Sequence, residues 1–342
     1  MTSSWKIKKP DLGKLLNQWS QEFVVTVPWR QNGLATWAKW NGTDTSFINW
    51  YQNTANPAKA YIFPPMEEMF HFHKDEAGYH LQLPASDEEK RLIFGIRPCD
   101  AKALAILDML FKDLYEDPYY FSKRNSTVLV GLGCTRPCDS CFCTSLGISP
   151  GESSDVDLMV TDIGDQLLIE GISEGGKGLI SRAGEVEEAT EADEAKAKEI
   201  KETSYQKVTR RVDTENIKEK LLACFEDKDH WEKVTAKCIS CGICTLFCPT
   251  CSCFDISDEL VKKQGVRFRS WDSCAFPIYT KMPMENPREE KWRRVRQKVC
   301  HKFEFYVMSF GLIACVGCGR CVRQCPVNWD ITQVLNNLPV KI

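Results

Sequence analysis

The sequence has almost no net charge: 44 Lys+Arg stand against 47 Asp+Glu, a formal balance of -3. No global electrostatic pull toward a nucleic acid or an anionic membrane is therefore expected. No stretch approaches the roughly eighteen uninterrupted apolar residues of a membrane-spanning helix. The nearest, FEFYVMSFGLIACVGC, is short and ends in cysteines. The opening MTSSWKIKKP places no apolar segment behind its lysines, so a reducing, cytoplasmic setting is expected rather than secretion. No G-x-G-x-x-G dinucleotide loop after a strand, no H-E-x-x-H helix and no G-x-S-x-G elbow is expected, which leaves hydride chemistry to other chains.

Cysteine, by contrast, is abundant, with 18 in 342 residues. The segment CISCGICTLFCPTCSCF, Cys238 to Phe254, holds six of them. Its first four, Cys238, Cys241, Cys244 and Cys248-Pro249, recur in spacing as Cys315, Cys318, Cys321 and Cys325-Pro326. C-x2-C-x2-C-x3-C-P is the run of bacterial ferredoxins, where three thiolates hold one [4Fe-4S] cubane and the fourth reaches the partner cluster. One cluster is thus expected on Cys238, Cys241, Cys244 and Cys325, and a second on Cys315, Cys318, Cys321 and Cys248. Gly242, Gly317 and Gly319 would let backbone N–H groups approach the sulfides, and Pro249 and Pro326 would turn the chain away. Structural zinc uses paired C-x2-C hooks instead. Residues 249–314 between the copies exceed what a compact ferredoxin needs, so a helical ferredoxin with an inserted segment is expected.

The first half reads as mixed α/β. PDLGKLLNQW has helical spacing and EFVVTVP alternates like a strand; RLIFGI, DAKALAILDMLFKDL and STVLVGLG read as strand, helix, strand. DVDLMVTDIG and DQLLIEGI look like a hairpin turning at Gly164-Asp165. The expected class is α+β: an α/β domain over 1–183, a charged helical linker over 184–212, and a mainly helical two-cluster domain over 213–342. Cys99 and Cys134 each follow the end of an expected parallel strand, and GCTRPCDSCFC adds Cys138, Cys141 and Cys143. Five thiols that could meet at one sheet edge suggest a third metal site. A further [4Fe-4S] cluster, zinc and plain core cysteines all remain open.

Weaker patterns carry less. GISEGGKG, Gly171 to Gly178, nearly spells a phosphate-binding loop but lacks the final hydroxyl and is expected as a glycine loop at a hairpin tip. His71 and His73 alternate as on a strand without further evident ligands, so a structural role is expected. The basic run RRVRQKVCHK suits a solvated helix face or a counter-charge for thiolate-bound clusters better than a nucleic acid.

FGIRPCDAKAL, CFCTSLG, DLMVTDIG, CPTCSCFDI, WDSCAFP, NPREEKWRRVRQKVCHKF and CVGCGRCVRQCPV, in this order, resemble the iron-sulfur beta subunit of soluble nickel-iron hydrogenases of the sulfhydrogenase type. The A subunit of anaerobic sulfite reductase is related to it. The resemblance runs through nearly the whole chain. It implies an electron-transfer subunit without turnover of its own, placed between a flavoprotein linked to NAD(P)H and a hydrogenase or sulfite reductase catalytic subunit, with ferredoxin as a further exchange partner. It also implies Cys99, Cys134, Cys141 and Cys143 as the N-terminal ligand set, with Cys138 an addition. Cys251, Cys253 and Cys274 belong to the family pattern, and a disulfide or polysulfide reductase using such thiols is the alternative activity. Cys300 and Asn328-Trp329 depart from the pattern.

Overall fold

A computed structural model describes residues 4–84, 89–184 and 186–339. In chain order its strands are β1 (Ser4–Lys8), β2 (Val24–Gln31), β3 (Leu34–Lys39), β4 (Met66–Asp75), β5 (Gly78–Gln82), β6 (Arg91–Ile96), β7 (Thr127–Leu132), β8 (Leu158–Asp162), β9 (Gln166–Gly171), β10 (Glu187–Glu188), β11 (Phe254–Val261) and β12 (Gln264–Trp271). Eight of them form one sheet, ordered β10-β1-β9-β8-β7-β6-β2-β3. The central β2, β6, β7 and β8 run parallel, and the flanks are antiparallel.

β6, the segment RLIFGI, is buried from Leu92 to Ile96 because both sheet faces are covered. Leu92 and Phe94 pack with Leu12, Leu15, Leu16 and Trp19 of one helix. Ile93 points the other way, onto Leu104 and Leu107 of the helix Pro98–Lys112. Pro98 starts that helix, where a missing N–H costs nothing. β8 and β9 form the expected hairpin, with Gly164 at φ +108 in the turn.

Three expectations are corrected. The stretch from Gly171 is no hairpin-tip loop: Glu174–Ser181 is a helix, and the Ser173 hydroxyl caps it by accepting the Gly176 N–H at 2.9 Å. Gly171 to Gly175 does spell G-x-S-x-G, but Ser173 has ordinary extended backbone and donates to Asp157 at 2.6 Å, which is capping chemistry. The charged segment forms the helix Glu191–Gln206 behind a Thr190/Asp193 capping box, yet it is not free of the sheet. Ala197 packs on Ile163 and Leu168, and Lys201 reaches Glu170 at 2.7 Å.

In the otherwise helical second half, the segment between the cysteine motifs folds into the hairpin β11–β12, which joins β4 and β5 in a sheet ordered β11-β12-β4-β5. The two halves of the chain therefore share a sheet. The long basic helix begins at Lys291, turns as a π segment over His301–Phe305 and continues to Phe310. Among the described residues, no helix is long and apolar enough to cross a membrane.

Candidate metal centre

Parallel pairing of β6 with β7 sets the ends of both strands side by side, and Arg97 fastens them. Its buried guanidinium donates to the carbonyls of Leu132 and Gly133 at 2.9 and 2.6 Å, to Gln52 at 2.7 Å and to Tyr51, whose ring it covers. Cys99 stands in the first turn after β6 and Cys134 just after β7. Both line one cavity with Cys138, Cys141 and Cys143. Cys138 shares a side-chain hydrogen bond with Cys141, so the structure gathers all five thiols rather than four. Burial pushes the Cys99, Cys134 and Cys143 thiols up, Cys143 to about 12. Those three become thiolates only against a strong compensating charge, such as a metal, whereas the hydrogen bond with Cys141 holds the Cys138 thiol down at about 6.

The first ferredoxin motif lines a second cavity, in which Cys238, Cys241 and Cys244 meet Cys325 from the other motif. Lys298 lies in its wall, 4 % exposed, over the Trp329 ring at 4.7 Å. Its ammonium meets no nitrogen or oxygen partner among the described residues and faces the Cys244 sulfur. Burial opposes that charge, but the thiols of Cys244 and Cys321 outweigh burial and raise the pKa. A buried cation whose counterparts are cysteine sulfurs fits an anionic cluster. Backbone N–H groups already point at sulfur: Ser240 at Cys238 (3.4 Å) and Trp329 at Cys325 (3.2 Å).

Around the second motif, Cys315, Cys318 and Cys321 lie close enough to Cys248 for its charge to act on each. Lys302, on the π segment, reaches Thr250 Oγ1 at 2.7 Å and the Ala314 carbonyl at 3.1 Å. Burial works against its charge, while Cys248, Cys251 and Cys315 hold its pKa well above the usual lysine value. Cys251 is tied through its carbonyl to buried Lys59 at 2.6 Å, and Cys253 hydrogen-bonds Cys274 and Tyr279. Cys224 and Cys300 sit instead in the apolar core of the second half, with Trp231 and Phe303.

The glycines have a role that spacing did not reveal. Gly242, Gly317 and Gly319 have φ of +75, +59 and +71, as expected of close turns. A Cβ on Gly317 would stand 2.5 Å from the Cys143 nitrogen, and one on Gly319 2.6 Å from the Ser140 carbonyl oxygen. Their bareness lets the second motif lie against CFC, where Phe142 N–H donates to Gly317 at 2.8 Å. Cys318 consequently lines the N-terminal cavity as well as belonging to the second motif.

Among the described residues, no three cysteine sulfurs lie within 4.8 Å of one another; the group of metal-ligating side chains that meets that distance is His73, Asp75 and His80. A tetrahedral zinc–thiolate site, with Zn–S of about 2.3 Å, would bring its sulfurs closer than that. A cubane, whose thiolates bind separate irons, does not require three sulfurs so close.

Comparison with known proteins agrees with this chemistry. Residues 237–329 match the 4Fe-4S dicluster domain. Sulfhydrogenase 2 subunit beta of Pyrococcus furiosus is 29% identical over 315 residues, covering 91% of each chain. No solved structure matches. The chain is an iron-sulfur electron-transfer protein that carries [4Fe-4S] clusters and is similar along most of its length to a sulfhydrogenase subunit beta.

Proposed function

We propose that the chain is the relay subunit of an oxidoreductase complex with three [4Fe-4S] clusters. Cys238, Cys241, Cys244 and Cys325 hold the first; Cys315, Cys318, Cys321 and Cys248 hold the second; Cys99, Cys134, Cys141 and Cys143 hold the third. When bound, the clusters supply one-electron carriers. The observation that carries the reading is the position of Cys318, a residue of the second motif on the wall of the N-terminal cavity. It makes the N-terminal site a neighbour of the second motif, while Cys325 makes the first motif a neighbour on the other side. The three thiol sets thus follow one another as N-terminal, second and first.

The name of the relative, a sulfhydrogenase subunit, supports work with other subunits, and the finer reading rests on the resemblance. A flavoprotein linked to NAD(P)H stands at one end of the relay and a catalytic subunit, such as a nickel-iron hydrogenase, at the other. The α/β part over 1–183, with the charged helix packed on its sheet, and the dicluster part over 213–342 supply the two ends. The contact of Cys253 with Cys274 favours a second reading, a thiol-based disulfide or polysulfide reductase. An electron-input subunit of sulfite reductase differs from the first reading only in the terminal partner.

The test is to purify the native complex without oxygen, identify its subunits by mass spectrometry and count iron. About twelve irons per chain and a flavin-bearing partner are expected, from three cubanes of four irons each. Eight irons, unchanged in Cys134→Ala, would remove the third cluster. Turnover of a disulfide that is abolished in Cys274→Ala with iron intact would favour the reductase.

A further inference from the structure

At the outer edge of the small sheet, β4 and β5 pair so that His73 lies directly across from His80. Their rings stack with centroids 4.7 Å apart and planes 13° apart. Asp75, at the end of β4, accepts the N–H groups of Ala77 and Gly78 at 2.8 and 3.2 Å, so the tight turn fixes its carboxylate. The same carboxylate lies 3.0 Å from His80 Nε2. One ligand atom from each of the three residues falls within a 4.8 Å span.

We propose that this hairpin tip binds a single divalent transition-metal ion of the zinc class through His73, Asp75 and His80. Metal–nitrogen and metal–oxygen bonds of about 2.0–2.2 Å bring adjacent donors to roughly 3.0–3.4 Å, and the His80–Asp75 pair already has that separation. His73 closes the rest by rotation, since all three side chains are exposed. Two imidazoles with one carboxylate select zinc, nickel, copper or iron over magnesium and calcium, which prefer all-oxygen sites. Three protein donors leave at least one position open to water or to a ligand from another molecule. The ion joins β4 to β5, the edge strand of this sheet. His71 is not part of the set, because its Nε2 is directed to Glu68 at 3.2 Å.

The test uses the anaerobically purified full chain with its clusters, freed of loose metal by chelator and dialysed against micromolar free zinc. Zinc and iron are then counted together. Wild type and His71→Ala should hold one zinc more per chain than His80→Ala or His73→Ala, with iron equal in all four. Comparing variants in this way subtracts any zinc taken by spare thiols. Equal zinc in wild type, His73→Ala and His80→Ala would overturn the site, as would an equal loss in His71→Ala.

Discussion

Arg320 and Asp100 form a two-pronged ion pair, Nη1 to Oδ1 at 2.6 Å and Nη2 to Oδ2 at 2.7 Å, with both residues at most 1 % exposed. Arg320 follows the second motif's Cys318 by two positions, and Asp100 follows Cys99. Its guanidinium also donates to the Thr54 carbonyl at 2.9 Å and to Asn53 Oδ1 at 2.6 Å, so no donor face is left bare. The pair locks the second motif to the N-terminal cavity. Arg320→Ala should leave Asp100 charged and buried, costing about 3–5 kcal/mol. Anaerobic denaturant melts would read this, and Arg320→Met with Asp100→Leu should recover most of it. A single-variant loss below about 1 kcal/mol would mean a screened surface pair instead.

Cys325 shares its cavity with Cys238, Cys241 and Cys244. Cys325→Ala should therefore damage the first cluster and spare the second, whose fourth ligand is Cys248. EPR of the reduced protein should lose the magnetic interaction between centres. Unchanged spectra would reject the exchange of fourth ligands.

The N-terminal cavity is lined by five thiols of the first half beside Cys318, one more than the proposed cluster needs. Cys134→Ala should lose about four irons, the content of one cubane, whereas Cys138→Ala should keep full iron because Cys141 and Cys143 remain. Iron analysis distinguishes the two directly. Equal loss in both variants would give Cys138 a ligand's role.

Gly317→Ala and Gly319→Ala should both destabilise the chain and reduce iron in the second and N-terminal sites together. Each adds a Cβ at a left-handed φ, Gly317 against Phe142 and Cys143 and Gly319 against Ser140. Gly178→Ala is the control: its Cβ meets nothing within 4 Å, and a helical Gly→Ala change stabilises by up to about 1 kcal/mol. Thermal melts of the three variants would rank them.

Burial lowers the His301 pKa to about 4, with Lys302 and Arg288 adding to the effect. Its folded value lies below the unfolded value of about 6.5, so below that pH the unfolded chain binds the extra proton. This contribution to stability is fully present above pH 6.5 and is lost as pH falls toward 4. Melting temperature should drop between pH 6.5 and 5.5, and His301→Phe should flatten the drop. An identical pH profile in the variant would exclude His301 as the titrating group.

The cluster motifs were legible because their chemistry is local. Three thiolates two residues apart on one turning segment fit one face of a cube, whatever the rest of the chain does. The strands around RLIFGI and STVLVGLG were legible too, since burial on both faces demands a continuous apolar run. The helix at Glu174 was misread as a loop because its three glycines look like a turn. Gly176 is required there by the close approach of Asp157, a contact between segments.

Sequence by itself determined the cofactor class and the α+β character, and its repeated spacing is what the proposed crossed pairing of Cys248 and Cys325 rests on. Tertiary structure alone decided what lies beside what: Cys318 on the N-terminal cavity, β12 paired with β4, Asp100 under Arg320, and His80 across from His73. Apart from the histidine pair, these contacts join segments about 180 or more residues apart. No local pattern encodes them, because they result from sheet register and from glycines whose missing side chains matter only once the facing segment arrives. His73 and His80 are near in sequence, yet they too needed the strand register, since a slip of one residue would turn the imidazoles to opposite faces.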